Sequence, residues 1–117
     1  MKRRKINLAD QKGKQFRTLK TTVVNDFFAV HGTINTAKGY AFDGKTSIDR
    51  EDYTLTHILT GAAVMTRGYT KETLIRAATM LLQLGDWNFT DPAEAKKRFD
   101  PKEVKLVLNN ASIPFAI

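Results

Sequence analysis

Eight basic side chains lie in the first 20 residues, in a pattern that suits contacts with phosphate groups. They are Lys2, Arg3, Arg4, Lys5, Lys12, Lys14, Arg17 and Lys20, and Asp10 is the only carboxylate among them. The chain has a formal net charge of +7, and the residues after position 20 sum to zero. Lysine and arginine release condensed counterions when they bind DNA or RNA. These eight residues are therefore the predicted nucleic-acid-binding residues.

The two histidines, His31 and His57, are the side chains best suited to acid–base chemistry. On neighbouring strands their rings could face each other and act as base and acid on a phosphodiester. His31-Gly32-Thr33 resembles one of the two His-x-Thr motifs of the 2H phosphoesterases. His57 departs from that pattern, because its threonine is three positions on and the two histidines are close in the chain. Structural histidines, bonded to a threonine or a backbone carbonyl, are the favoured interpretation.

Other chemistries have little support in the sequence. There is no cysteine, which excludes disulfides, thiolate metal sites and a cysteine nucleophile. Asp49, Glu51 and Asp52 lack the glycine and terminal glutamate of a calcium loop. There is no P-loop, dinucleotide-binding glycine motif or nucleophile elbow. We therefore predict no metal, no cofactor and no enzymatic activity.

The composition is that of a soluble protein with one domain. The chain has 117 residues, 42% hydrophobic and 26% charged, and no apolar run long enough to span a bilayer. The basic N-terminus is not followed by the apolar segment of a secretory signal, so a cytoplasmic location is expected. Because like charges repel, residues 1–20 are predicted to form a basic N-terminal arm. Residues 21–117 are predicted to form a single compact α+β domain.

An antiparallel β-meander of about three to five strands is predicted over residues 21–67. Residues 21–34 are rich in Val, Phe and Thr, with an interruption at Asn25-Asp26. Phe28 and Val30 would share one face of a strand, and Phe27, Ala29 and His31 the other. Asp43-Gly44 indicates either a hairpin or a mobile loop in the turn-rich segment 35–52.

The segment from Tyr53 to Glu72 favours a hairpin. Tyr53 and Leu55 alternate with threonines, and Thr60-Gly61 suits a tight turn. The alternative is a helix, which would hold Gly61 at its centre at a cost of about 1 kcal/mol.

Two or three helices are predicted in the second half of the chain. Thr70 is a suitable N-cap for a core helix over 70–84, and Gly85 a suitable C-cap. Asp91-Pro92 and Asp100-Pro101 each indicate a helix start and predict one or two short C-terminal helices. Val104, Leu106 and Leu108 occupy alternate positions, so a strand is the alternative prediction for residues 104–108. We expect Trp87 and Phe89 in the core, with an exposed aromatic anchor for a partner as the alternative. Phe115 and Ile117 are expected to fold back onto the core.

Together these patterns predict a small basic nucleic-acid-binding accessory or regulatory protein, of the kind that phages and plasmids carry. The arm would make the phosphate contacts. The alternative is an interaction module or inhibitor of the phage or plasmid anti-defence type, whose arm docks on the acidic or nucleic-acid-binding surface of a partner enzyme. The expected partner is thus a nucleic acid or an acidic protein surface, and not a membrane.

Overall fold

Five antiparallel strands and three α-helices form the described part of the chain. The computed structural model describes residues 2–10, 13–35, 47–66 and 70–112. The strands are β1 (Lys2–Ala9), β2 (Gln15–Val23), β3 (Phe28–Asn35), β4 (Ser47–His57) and β5 (Ala63–Thr66); the helices are α1 (Lys71–Leu81), α2 (Ala93–Arg98) and α3 (Pro101–Ser112). The strands lie side by side in chain order. This confirms the predicted α+β fold with an antiparallel meander.

The prediction that residues 1–20 form an arm is wrong for the described residues, because β1 and β2 are paired strands. We call this hairpin, Lys2–Val23, the ribbon. Its register runs from Lys2 opposite Val23 to Ala9 opposite Gln15. At its turn, Asp10 Oδ1 accepts the backbone N–H of Lys14 at 2.9 Å, and Gly13 has a φ of 85°. The sheet therefore begins at Lys2 rather than at residue 21.

Burial of alternate residues explains why a charged segment forms a strand. Ile6 and Leu8 are buried against Ala29 of β3, while Lys5 and Asn7, on either side of Ile6, are exposed. A strand needs an apolar residue only at every second position, so charge on the other face does not prevent pairing.

The ribbon also closes onto the turn between β4 and β5. The Ala9 N–H donates to the Gly61 carbonyl oxygen at 2.9 Å. Gly61 has a φ of 72°, and a Cβ there would collide with the carbonyl oxygen of Asn7. Glycine is required at this position for both reasons.

The link between β2 and β3 confirms the predicted interruption at Asn25. The Asn25 side-chain oxygen accepts the N–H groups of Phe27 and Phe28, each at 3.0 Å. Its amide donates to the Ala78 carbonyl oxygen of α1 at 3.2 Å. This turn therefore fastens the sheet to the helix.

Helix α1 packs on the face of the sheet that carries Phe28 and Val30. Its buried residues join those side chains and Leu55 in the main core. The Thr70 hydroxyl accepts the Thr73 N–H at 3.2 Å, which confirms the predicted N-cap. A 3₁₀ turn, Leu82–Leu84, continues the helix to Gly85, so the prediction of a helix over 70–84 is also confirmed.

Both Asp-Pro helix starts are present. Asp91 Oδ1 accepts the Ala93 N–H at 3.0 Å, and α2 begins at Ala93, one residue later than predicted. Asp100 Oδ1 accepts the Lys102 N–H at 2.9 Å, and Pro101 is the first residue of α3. The last segment is thus a helix and not a strand.

The segment from Tyr53 onward forms the predicted hairpin. The Gly61 N–H donates to the His57 carbonyl oxygen at 2.8 Å, and the His57 N–H donates to Ala62 at 3.0 Å. Strand β5 then pairs with β4. The predictions for Asp43-Gly44, Phe115 and Ile117 lie outside the described residues.

Candidate anion-binding surface

The ribbon register places three of the predicted cations on one face. Lys5 lies directly opposite Lys20, and Arg3 lies opposite Thr22, one step diagonally from Lys20. Because side chains alternate along a strand, these residues project to the same side. We call this side the cationic face; its residues are Arg3, Lys5, Asn7, Thr18, Lys20 and Thr22.

The cationic face is polar throughout and has no carboxylate. Five of its side chains are exposed and Thr22 is half-buried. The Thr18 hydroxyl donates to the Asn7 side-chain oxygen across the strands at 2.8 Å. Within the described part of the chain, no ion pair joins Arg3, Lys5 or Lys20 to an acidic residue. Like charges that face each other across a strand pair destabilise a sheet, so this positive charge is not there for stability.

The other predicted cations are not all on this face. Lys2, Arg4 and Arg17 alternate onto the side of the ribbon that carries Ile6 and Leu8. Lys14 lies in the ribbon turn, and Lys12 lies outside the described residues. The structure therefore brings together Arg3, Lys5 and Lys20, and separates them from the rest.

A cleft of about 450 Å³ continues the cationic face toward α1. It opens because β2 pairs with β3 only at Thr22–Val30 and Val23–Ala29 and then diverges. The lining residues are Arg3, Leu19, Lys20, Thr22, Val30, His31, Gly32, Tyr53 and Lys71. Among these described residues there are three cations and no carboxylate.

Lys71 is the cleft residue that sequence reasoning missed. It is the first residue of α1, directly after the Thr70 cap, where the helix dipole adds positive potential. The capping pattern identified the helix start, but only the fold shows that this start lies beside the ribbon.

His57 is a structural residue on the α1 face of the sheet. Its Nε2–H donates to the Trp87 carbonyl oxygen at 2.7 Å, and Nδ1 lies 3.0 Å from the Thr60 hydroxyl. Since a carbonyl oxygen can only accept, the proton is on Nε2. The ring stacks on Phe89 at 4.6 Å, and Trp87 and Phe89 are both buried, which confirms that they belong to the core. Burial lowers the pKa of His57, and the hydrogen bond to Trp87 opposes that shift.

His31 lies on the opposite face of the sheet. Its Nδ1–H donates to the Gly32 carbonyl oxygen and its Nε2 accepts from the Thr56 hydroxyl, both at 2.8 Å. Burial lowers the pKa of His31 as well, against a smaller opposing effect of the Gly32 hydrogen bond. The expectation that the two histidines could face each other is wrong, because β3 places His31 opposite Thr54, and not opposite His57. A shared acid–base step on one phosphodiester has no geometric basis.

Among the described residues, no group of three His, Cys, Asp or Glu side chains has the arrangement of a metal site. None of the described helices is long and apolar enough to cross a membrane. Comparisons with protein-family models, with curated proteins and with solved structures found no match to this chain.

Proposed function

We propose that this protein binds nucleic acid through the cationic face of its ribbon, and acts as an accessory protein that does not transform its ligand. The observation that carries the proposal is Lys5 opposite Lys20, with Arg3 beside them and no ion pair from these three to a described acidic residue. Holding like charges together costs stability, and a phosphate backbone offsets that cost when it binds.

The shape of the ribbon supports the same function. Two paired strands of eight and nine residues present a narrow, polar surface of the kind that fits a nucleic-acid groove. Asn7 and Thr18 form the next pair beyond the lysines on the same face and can exchange hydrogen bonds with bases or sugars. Lys71 extends the positive surface beyond the ribbon.

Substitution of the three grouped cations tests the proposal. The variant Arg3→Gln, Lys5→Gln, Lys20→Gln is compared with the wild type in salt titrations with single-stranded and duplex probes of DNA and RNA. Each lost phosphate contact should remove about 0.7 to 0.9 from the slope of log K against log salt. We therefore expect the slope to fall by about 2 to 3, and affinity at moderate salt to fall more than a hundredfold.

A matched control carries the same loss of charge on helices α2 and α3. Lys97→Gln, Lys102→Gln, Lys105→Gln lowers the net charge by the same amount on α2 and α3, at residues that neither belong to the cationic face nor line its cleft. It should change the slope by less than about 1. An equal loss of affinity in both variants would show that the cationic face is not a specific site. The absence of any dependence of log K on log salt in the wild type would show the same. Deletion of residues 1–14 is not a clean test, because it removes the buried Ile6 and Leu8.

An acidic protein surface is the other polyanion that this face could meet. Pull-downs from nuclease-treated lysate separate the two ligands. Suppose that a partner protein is recovered after nuclease treatment, and that it is lost with the ribbon variant but kept with the control. If the nucleic-acid probes also bind weakly, this protein would replace nucleic acid as the proposed ligand.

A further inference from the structure

A second opening lies between the β4–β5 turn and helices α2 and α3. We call it the apolar groove; its volume is about 390 Å³. Ala62, Ala63 and Val64 form one wall, and Ala95 and Val104 contribute to the wall that the helices form. Pockets that enclose small organic ligands begin at about 300 Å³, so the groove is large enough for one.

Aromatic rings form the floor of the groove. Trp87 and Phe99 stack at 4.0 Å with their planes 15° apart, and Phe89 lies beside them. The Trp87 indole N–H donates to the Leu81 carbonyl oxygen at 2.7 Å, so its polar atom is already paired. The rings therefore offer an incoming molecule an apolar surface that is held in place.

The polar groups of the groove leave only positive charge for a ligand. His57 uses both ring nitrogens, on Trp87 and Thr60. Lys96 and Lys105 are exposed residues that line the same groove, and no carboxylate among the described residues lines it. Neither lysine has an ion pair within the described chain, although the neighbouring Lys97 pairs with Glu94 at 3.6 Å.

From this arrangement we infer that the apolar groove binds a small amphipathic carboxylate. Its aliphatic or aromatic body lies on the rings of Trp87 and Phe99, and its carboxylate lies at the rim with Lys96 and Lys105. The apolar lining supplies the driving force, and two unpaired cations at the rim select an anion over a neutral molecule. The groove shares no residue with the cationic face, so this inference does not depend on nucleic-acid binding.

Trp87 provides a direct readout, because it is the only tryptophan in the chain and it lies on the floor of the groove. The full-length protein is titrated with phenylbutanoate and, separately, with its neutral amide, phenylbutanamide. We expect phenylbutanoate to change the Trp87 emission with saturation, and the amide to bind at least about tenfold more weakly, as expected when a charge-assisted contact of about 1.4 kcal/mol is lost.

Two lysine pairs on the same helices separate charge at the rim from charge in general. Lys96→Gln, Lys105→Gln should weaken phenylbutanoate binding at least about tenfold, to the level of the amide, and leave the amide unchanged. Lys97→Gln, Lys102→Gln removes the same charge from α2 and α3 at residues that do not line the groove, and should have less than about a threefold effect.

The inference is overturned if Trp87 emission does not saturate with phenylbutanoate, if acid and amide bind equally, or if both lysine pairs weaken binding alike. It is also overturned if an acetylated peptide with adjacent Phe and Asp residues binds at the groove while phenylbutanoate does not. In that case the groove would be a docking site for a protein. Weak binding to nucleic acid has no bearing on these results, since the two sites share no residue.

Discussion

The facing lysines of the ribbon and the two paired basic residues of α2 are arranged in opposite ways. On α2, Arg98 lies within 3.3 Å of Glu94 and 3.5 Å of Asp86, and Lys97 lies 3.6 Å from Glu94. These basic residues also follow the helix dipole, since they occupy the last turn. On the ribbon, Lys5 faces Lys20, and no described acidic residue pairs with either.

The difference shows which charges serve the fold and which serve a ligand. The positive charge of Lys97 and Arg98 on α2 is explained by local rules for helix ends and by i,i+3 and i,i+4 pairs. Positive charge on the cationic face breaks the corresponding rule for strands. Residues that break a local rule without a structural gain are the ones to examine for function.

The largest expected effect is on stability, and it tests whether the ribbon packs against the rest of the fold. Leu8 is 2% exposed on the buried side of the ribbon, so Leu8→Ala should lower the free energy of unfolding by about 3 kcal/mol. Leu106 on α3 is 59% exposed, and Leu106→Ala is the matched control with an expected effect below about 0.5 kcal/mol. Urea denaturation followed by circular dichroism measures both.

A loss of less than about 1 kcal/mol for Leu8→Ala would mean that the ribbon is not docked in solution. The contrast between ribbon and helices would then reduce to a basic arm beside a neutral domain.

A smaller effect comes from the two histidines, one on each side of the sheet. Burial lowers the pKa of both, from an unfolded value of 6.5. Below that pH the histidines of the unfolded chain become protonated, while those of the folded chain stay neutral. The free energy of unfolding is therefore highest above about pH 7.5 and falls as the pH decreases through about 6.5. Each histidine contributes at most about 1.4 kcal/mol per pH unit. Thermal unfolding between about pH 7.5 and 5.5, above the range of ordinary carboxylates, measures this slope.

Single substitutions assign the pH dependence to one side of the sheet. His57→Gln should remove the part of the pH dependence that arises on the α1 face of the sheet. His31→Gln should remove the part that arises on the opposite face. Stability that rises as the pH falls, or a slope unchanged in both variants, would contradict neutral, buried imidazoles.

The sequence predicts the helix side of the molecule well, because its signals are local. Thr70, Asp91 and Asp100 act on N–H groups two or three residues away, and each accepts the hydrogen bond that its type suggests. The hairpin turn at Gly61 is equally local, since the residue itself must adopt a positive φ.

The ribbon side is harder to predict because its signals are divided between distant residues. Ile6 and Leu8 do alternate with Lys5 and Asn7, but two apolar positions in a segment with eight cations are a weak strand pattern. Which cations share a face depends on strand register, and so does the separation of the two histidines. A shift of one residue moves every side chain to the other face, and composition does not determine that shift.

The smallest expected effect is the sharpest test of the charge arrangement on the ribbon. Lys20→Glu replaces the repulsion by Lys5 with attraction and should raise the free energy of unfolding by about 0.5 kcal/mol. The same change should weaken nucleic-acid binding more than tenfold, because a carboxylate now faces the phosphates. In a Lys5→Gln background the stability gain should disappear, which a double-mutant cycle measures. A gain that persists without Lys5 would show that Lys20 destabilises the ribbon for another reason, and that the facing lysines are not held together against their own repulsion.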